Sequence, residues 1–68
     1  MKVTEIYLGG EIVYRTNTPF VEIMEIIDNT VVREDDFVYV KLTDGTRGAF
    51  RKGAVIGVNE YEIMDNFS

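Results

Sequence analysis

Four of the seven basic residues in this 68-residue chain, Lys41, Arg47, Arg51 and Lys52, fall between positions 41 and 52, where Asp44 is the sole carboxylate. That segment carries +3, while the remainder, with three cations against eleven carboxylates, carries −8. Phe37 and Tyr39 stand just ahead of the cations. Guanidinium forks grip phosphate or carboxylate, and an aromatic ring stacks on a planar base. The chemistry this grouping offers is capture of a small, planar anion.

Side chains for catalysis are scarce. The chain has no His and no Cys, and its one serine is Ser68. General acid–base work near neutral pH, a serine triad and the usual zinc or iron–sulfur ligand sets therefore lack their residues. Leu8-Gly9-Gly10-Glu11 lacks the spacing of a phosphate-binding glycine loop. The densest carboxylate group is Glu34-Asp35-Asp36. It lacks the alternating spacing of a calcium loop and reads as a solvated loop beside a strand. The expectation is a non-enzymatic protein with no cofactor and no metal.

The elements that must position the basic group follow from local pattern. Val3 to Leu8 and Glu11 to Arg15 are β-prone runs separated by Gly9-Gly10, which predicts a tight hairpin. In residues 18–29, Glu22, Glu25 and Asn29 share one helical face, and Phe20, Ile23, Met24 and Ile27 share the opposite one. Thr18 suits an N-cap, Pro19 the first helical position, and Asp28-Asn29 the stop, so a short helix is expected at about 18–28. Residues 30–36 read mainly as loop. Phe37 to Leu42 is a strand, Asp44-Gly45 its turn and 46–51 its return. Lys52-Gly53 turns the chain again, and 54–63 forms the last strand. The fold class is α+β, a small five-stranded, mostly antiparallel sheet or partly open barrel (ββαβββ) with one short helix. Residues 1–68 make a single domain with a frayed tail at 64–68.

Register decides what the Asp44-Gly45 hairpin displays. A two-residue loop pairs Leu42 with Arg47 and Val38 with Arg51, placing both arginines on the face of Val38, Val40 and Leu42. A three-residue loop, Thr43-Asp44-Gly45 with Gly45 left-handed, pairs Leu42 with Thr46, Val40 with Gly48 and Val38 with Phe50. Burial of an unpaired arginine is costly, so the second register is preferred. It turns Val38, Val40, Leu42 and Phe50 inward, and Phe37, Tyr39, Lys41, Arg47, Ala49 and Arg51 outward. The ligand-binding candidates are thus Phe37, Tyr39, Lys41, Arg47 and Arg51. The bland alternative is an ordinary solvated sheet face, or one covered by the helix or a partner subunit with Glu22 or Glu25 pairing the arginines. Tyr7, Tyr14 and Tyr61, with Glu22 and Glu25, are the candidates for contact with a partner.

The strand–turn pattern Val38-Tyr39-Val40-Lys41-Leu42-Thr43-Asp44-Gly45, followed by Val55-Ile56-Gly57-Val58, resembles many small sheet proteins, Sm-like and SH3-like barrels among them. The helix between the second and third strands departs from both, and no residue role is carried over.

A chain this short buries only about 60% of its unfolded surface, and with neither disulfide nor metal available, self-association is the support left open. The net charge of −5 opposes binding to nucleic acid in general. No apolar run approaches membrane-spanning length and no signal segment opens the chain, so a cytoplasmic protein is expected. The leading functional reading is a homo-oligomer holding a small anion, a nucleotide among the candidates. Its size suggests a sequestering protein of phage or mobile-element type. A protein–protein adaptor or inhibitor acting through a sheet edge or the acidic helix face is the alternative. A nucleic-acid binder using the sheet face ranks third.

Overall fold

The computed structural model describes residues 1–64. Strands β1 (Lys2–Leu8) and β2 (Ile12–Thr16) are followed by helix α1 (Phe20–Asp28). Then come β3 (Phe37–Lys41), β4 (Arg47–Arg51), a 3₁₀ turn at Lys52–Ala54, and β5 (Val55–Glu62). The expected α+β class and ββαβββ order are present. The five strands divide into two antiparallel sheets, one ordered β2-β1-β5 and the other β3-β4. Among the described residues a single backbone bridge, between Thr16 and Leu42, joins them, and neither closes, so the likeness to small barrels ends at the hairpin. Of the tail expected at 64–68, Met64 is exposed and the rest lies outside the described residues.

The first hairpin differs in its turn. Leu8 pairs with Ile12, so the connection is three residues, Gly9-Gly10-Glu11, rather than Gly9-Gly10 alone. Gly10 and Glu11 both take positive φ, 79° and 64°. With Ile12 opposite Leu8, Tyr14 stands opposite Ile6 on the core face.

The helix begins one residue later than expected, at Phe20 rather than Pro19, with Pro19 at the N-cap (φ −57°, ψ 145°) and no side-chain cap. Thr18 does not cap it because its groups are committed elsewhere. Its hydroxyl is hydrogen-bonded to the Thr16 hydroxyl at 3.1 Å, its carbonyl accepts from the Thr4 hydroxyl at 2.8 Å, and its N–H donates to Thr16 Oγ1 at 3.1 Å. The amphipathic pattern holds: Ile23 is buried, Phe20, Met24 and Ile27 are half-buried, and Glu22 and Glu25 face solvent.

One core serves both sheets. Ile6 and Leu8 of β1, Ile23 of α1, Val38 and Val40 of β3, and Phe50 of β4 pack as one cluster. Alternation along β3 and β4 then leaves their other face outside, because their inner side is turned to this shared core.

Candidate functional site

The β3–β4 hairpin adopts the three-residue loop. Val38 pairs with Phe50, Val40 with Gly48, and Lys41 with Arg47. Leu42 N–H donates to the Thr46 carbonyl at 2.8 Å, Gly45 N–H donates to the Leu42 carbonyl at 3.0 Å, and Gly45 sits at φ 89°. This is a tight turn followed by a one-residue bulge, the geometry only glycine adopts without strain. The Asp44 carboxylate fixes the loop, accepting from the Thr46 N–H at 2.9 Å and the Thr46 hydroxyl at 2.6 Å. That hydroxyl first, and the backbone second, hold the Asp44 carboxyl below the usual range.

Gly48 serves a second purpose. A Cβ there would lie 3.2 Å from Tyr14 Cε2 and 3.3 Å from Leu42 Cδ1. Its absence lets the Tyr14 ring cross beneath β4 and tilt against Phe50, centroids 6.3 Å apart. The core side of the hairpin is thereby locked, and the outer side is displayed on a fixed frame.

The outer side is a ladder of three rungs. Phe37 stands opposite Arg51, Tyr39 opposite Ala49, and Lys41 opposite Arg47. All six residues are exposed. At the first rung the Arg51 guanidinium lies 5.1 Å from the Phe37 ring centroid, a cation–π contact. At the second, the alanine leaves Tyr39 without a large cross-strand neighbour, and Tyr39 is 74% exposed. At the third, two cations face each other directly, an arrangement that is mildly destabilising unless an anion lies between them. Among the described residues the only ion pair is Arg15 with Glu5 at 2.9 Å, so no described carboxylate neutralises Lys41, Arg47 or Arg51. A shallow depression of about 390 Å³ opens here, lined by Tyr39, Val40, Lys41, Gly45 and Arg47.

Lys52, counted with the basic segment, is not part of this face. Its Nζ donates to the Asn29 and Val32 carbonyls, both at 2.8 Å, and latches the loop after α1 to the end of β4. The carbonyls of a helix C-terminus attract a cation, and lysine has the reach. The available positive charge is therefore Lys41, Arg47 and Arg51.

Glu22 and Glu25 do not reach the arginines. Both are exposed on α1, and neither forms an ion pair among the described residues. Glu22 lines a cleft of about 580 Å³ that Lys41 borders from the hairpin side. The three tyrosines are half-buried within the fold. Tyr7 donates to Glu5 at 2.8 Å, Tyr14 donates to the Ala49 carbonyl at 3.3 Å, and Tyr61 stands opposite Val3.

Two features have no counterpart in the sequence reading. Thr4 and Thr16, 2% and 0% exposed, face each other across β1 and β2. The Thr16 hydroxyl donates to the Lys41 carbonyl at 2.7 Å and so ties the ladder to the larger sheet. Alternating threonines in a strand signal a pleated, half-buried surface, but not which one bridges two sheets. The other feature is a bulge in β5. Tyr7 pairs with Gly57 and Leu8 with Val55, which leaves Ile56 unpaired and 76% exposed. Ile56 borders an apolar groove of about 270 Å³ shared with Phe20, Met24, Ile27, Val55 and Val58.

Among the described residues, no three acidic, His or Cys side chains converge as a metal site would require, and no helix is long and apolar enough to cross a membrane. Comparison with family models, with curated proteins and with solved structures finds no match to this chain.

Proposed function

We propose that this chain is a non-catalytic binding protein that holds a small planar anion, a nucleotide among the candidates, on the outer face of β3 and β4. The observation that carries the reading is the Lys41–Arg47 pair, two directly opposed cations with no described carboxylate within ion-pairing distance, beside an uncovered Tyr39. An anion between the cations relieves their repulsion, and the ring offers a stacking surface. Arg47→Glu tests this. Nucleotides raise the melting temperature of the parent protein by mass action on the folded state, and the variant loses that shift. An unchanged shift in the variant would sink the proposal.

Self-association is part of the reading. Its support is the uncovered apolar surface formed by the exposed Ile56 and the groove it lines. The basic ladder is a poor self-contact, since like charges would meet. Native mass spectrometry of the purified protein tests for the oligomer and any retained ligand together. A cytoplasmic setting and a sequestering role of phage or mobile-element type belong to the same proposal and rest on size and composition.

The second reading is an adaptor or inhibitor that binds a protein partner through the β5 edge or the acidic face of α1. Its support is the position of β5 at the end of the sheet and the exposure of Glu22 and Glu25. A monomer in native mass spectra, without a thermal shift from any nucleotide, is its expected signature.

A further inference from the structure

We infer that the ladder selects a short single-stranded oligonucleotide of two to three residues over a mononucleotide, with phosphates at the two ends of the ladder and a base on Tyr39. The inference rests on the reading of this face as an anion site and adds the ligand's length.

The rungs set that length. Arg47 and Arg51 stand four residues apart on one face of β4, roughly 13 Å at ~3.3 Å per residue. A single nucleotide with its phosphate between Lys41 and Arg47 reaches Tyr39 with its base, one rung away. It leaves Arg51 and Phe37 unused. A second and third nucleotide carry the backbone along the strand to Arg51, whose guanidinium carbon lies 5.1 Å from the Phe37 ring centroid and whose N–H donors suit a phosphate. Ala49, opposite Tyr39, gives the central base room to stack.

Charge at both ends sets the upper limit. Beyond Phe37 the chain runs back into Asp36, Asp35 and Glu34, all exposed. Beyond Lys41 the turn presents Asp44, exposed and ionised. A longer polyanion leaving the ladder in either direction meets carboxylates, and the surrounding chain carries −8. The strip is therefore basic over three rungs and repulsive outside them.

The test is calorimetric titration of the full chain with 5′-phosphorylated thymidylates of one, three and twenty residues, using the parent protein, Arg47→Gln and Arg51→Gln. The trinucleotide is expected to bind about tenfold more tightly than the mononucleotide, equivalent to about 1.4 kcal/mol. Arg51→Gln removes that advantage. Arg47→Gln weakens both. The twenty-residue strand gains nothing beyond its number of overlapping sites. Melting curves of both variants check that these exposed substitutions leave the fold intact. Equal affinity for one and three residues, or an Arg51→Gln protein that keeps the advantage, overturns the length inference while the anion-site reading stands. Affinity that climbs with strand length overturns it in favour of an extended nucleic-acid surface. No binding of any thymidylate overturns this inference, and failure of the Arg47→Glu thermal-shift test with other nucleotides separately overturns the reading beneath it.

Discussion

Glu11 occupies a left-handed conformation, φ 64°, that costs a side-chain-bearing residue about 1–2 kcal/mol. Glycine there is free of that strain but loses about 0.5–1 kcal/mol more through the unfolded chain. Glu11→Gly is therefore expected to stabilise the protein by about 0.5 kcal/mol, read from the urea midpoint. A lower midpoint would show that the Glu11 side chain does something the geometry does not reveal. Glu5 makes a pH-dependent contribution. The Tyr7 phenol, chiefly, and Arg15 hydrogen-bond its carboxylate and hold its pKa below the ordinary value, against the opposing effect of burial. A carboxyl depressed in the folded state contributes stability that is complete above its unfolded value, about 4.3, and is lost as pH falls through the folded value. Stability should drop as pH falls below about 4, and Glu5→Gln should flatten that drop in acid denaturation curves. The Tyr7 phenol is raised, mainly by the same hydrogen bond to Glu5, so its contribution is present below about 10 and fades above it.

The hairpin was readable because one physical cost decided it. Two registers were possible, and only one kept Arg47 and Arg51 out of the core. Helix α1 was readable from the spacing of Glu22 and Glu25, but its start was not. Thr18-Pro19 has the form of a helix start, and only the fold shows that Thr18 serves Thr4 and Thr16 instead. The Gly9-Gly10 turn failed for a related reason: nothing local requires Glu11 to accept a positive φ, and the pairing of Ile12 with Leu8 imposes it. Lys52 counts toward the +3 of segment 41–52, but sequence proximity says nothing about reach. Its bonds to the Asn29 and Val32 carbonyls give a prediction for the loop they anchor. Lys52→Met keeps the stem and removes the donors. It should cost about 1–3 kcal/mol in urea denaturation, with nucleotide binding unchanged. A variant as stable as the parent would show that water replaces the ammonium at no cost.

Among the described residues the two sheets share one core but a single backbone β-bridge, between Thr16 and Leu42, supplemented by side-chain bonds from Thr16 and Tyr14. A two-stranded hairpin is marginal on its own, whereas β1 has a strand on each side. Amide hydrogen exchange should therefore find β3 and β4 opening ahead of β1, and ligand should narrow the difference by protecting β3 and β4. Equal protection without ligand would mean that the two sheets open as one. The charge distribution adds a second property of the whole chain: binding on the ladder should weaken with added salt, since solvent-exposed cations are screened over about 10 Å at 0.1 M.

The position of β1 has a consequence for how the protein is made. β1 is the central strand, and it precedes its second neighbour, β5, by most of the described fold, with Lys2 paired to Glu62. The larger sheet cannot close its register until β5 has been translated. Until then β1 carries an unpaired edge with Ile6 and Leu8 uncovered. The nascent chain depends on speed of completion, or on a chaperone, more than its size alone would suggest.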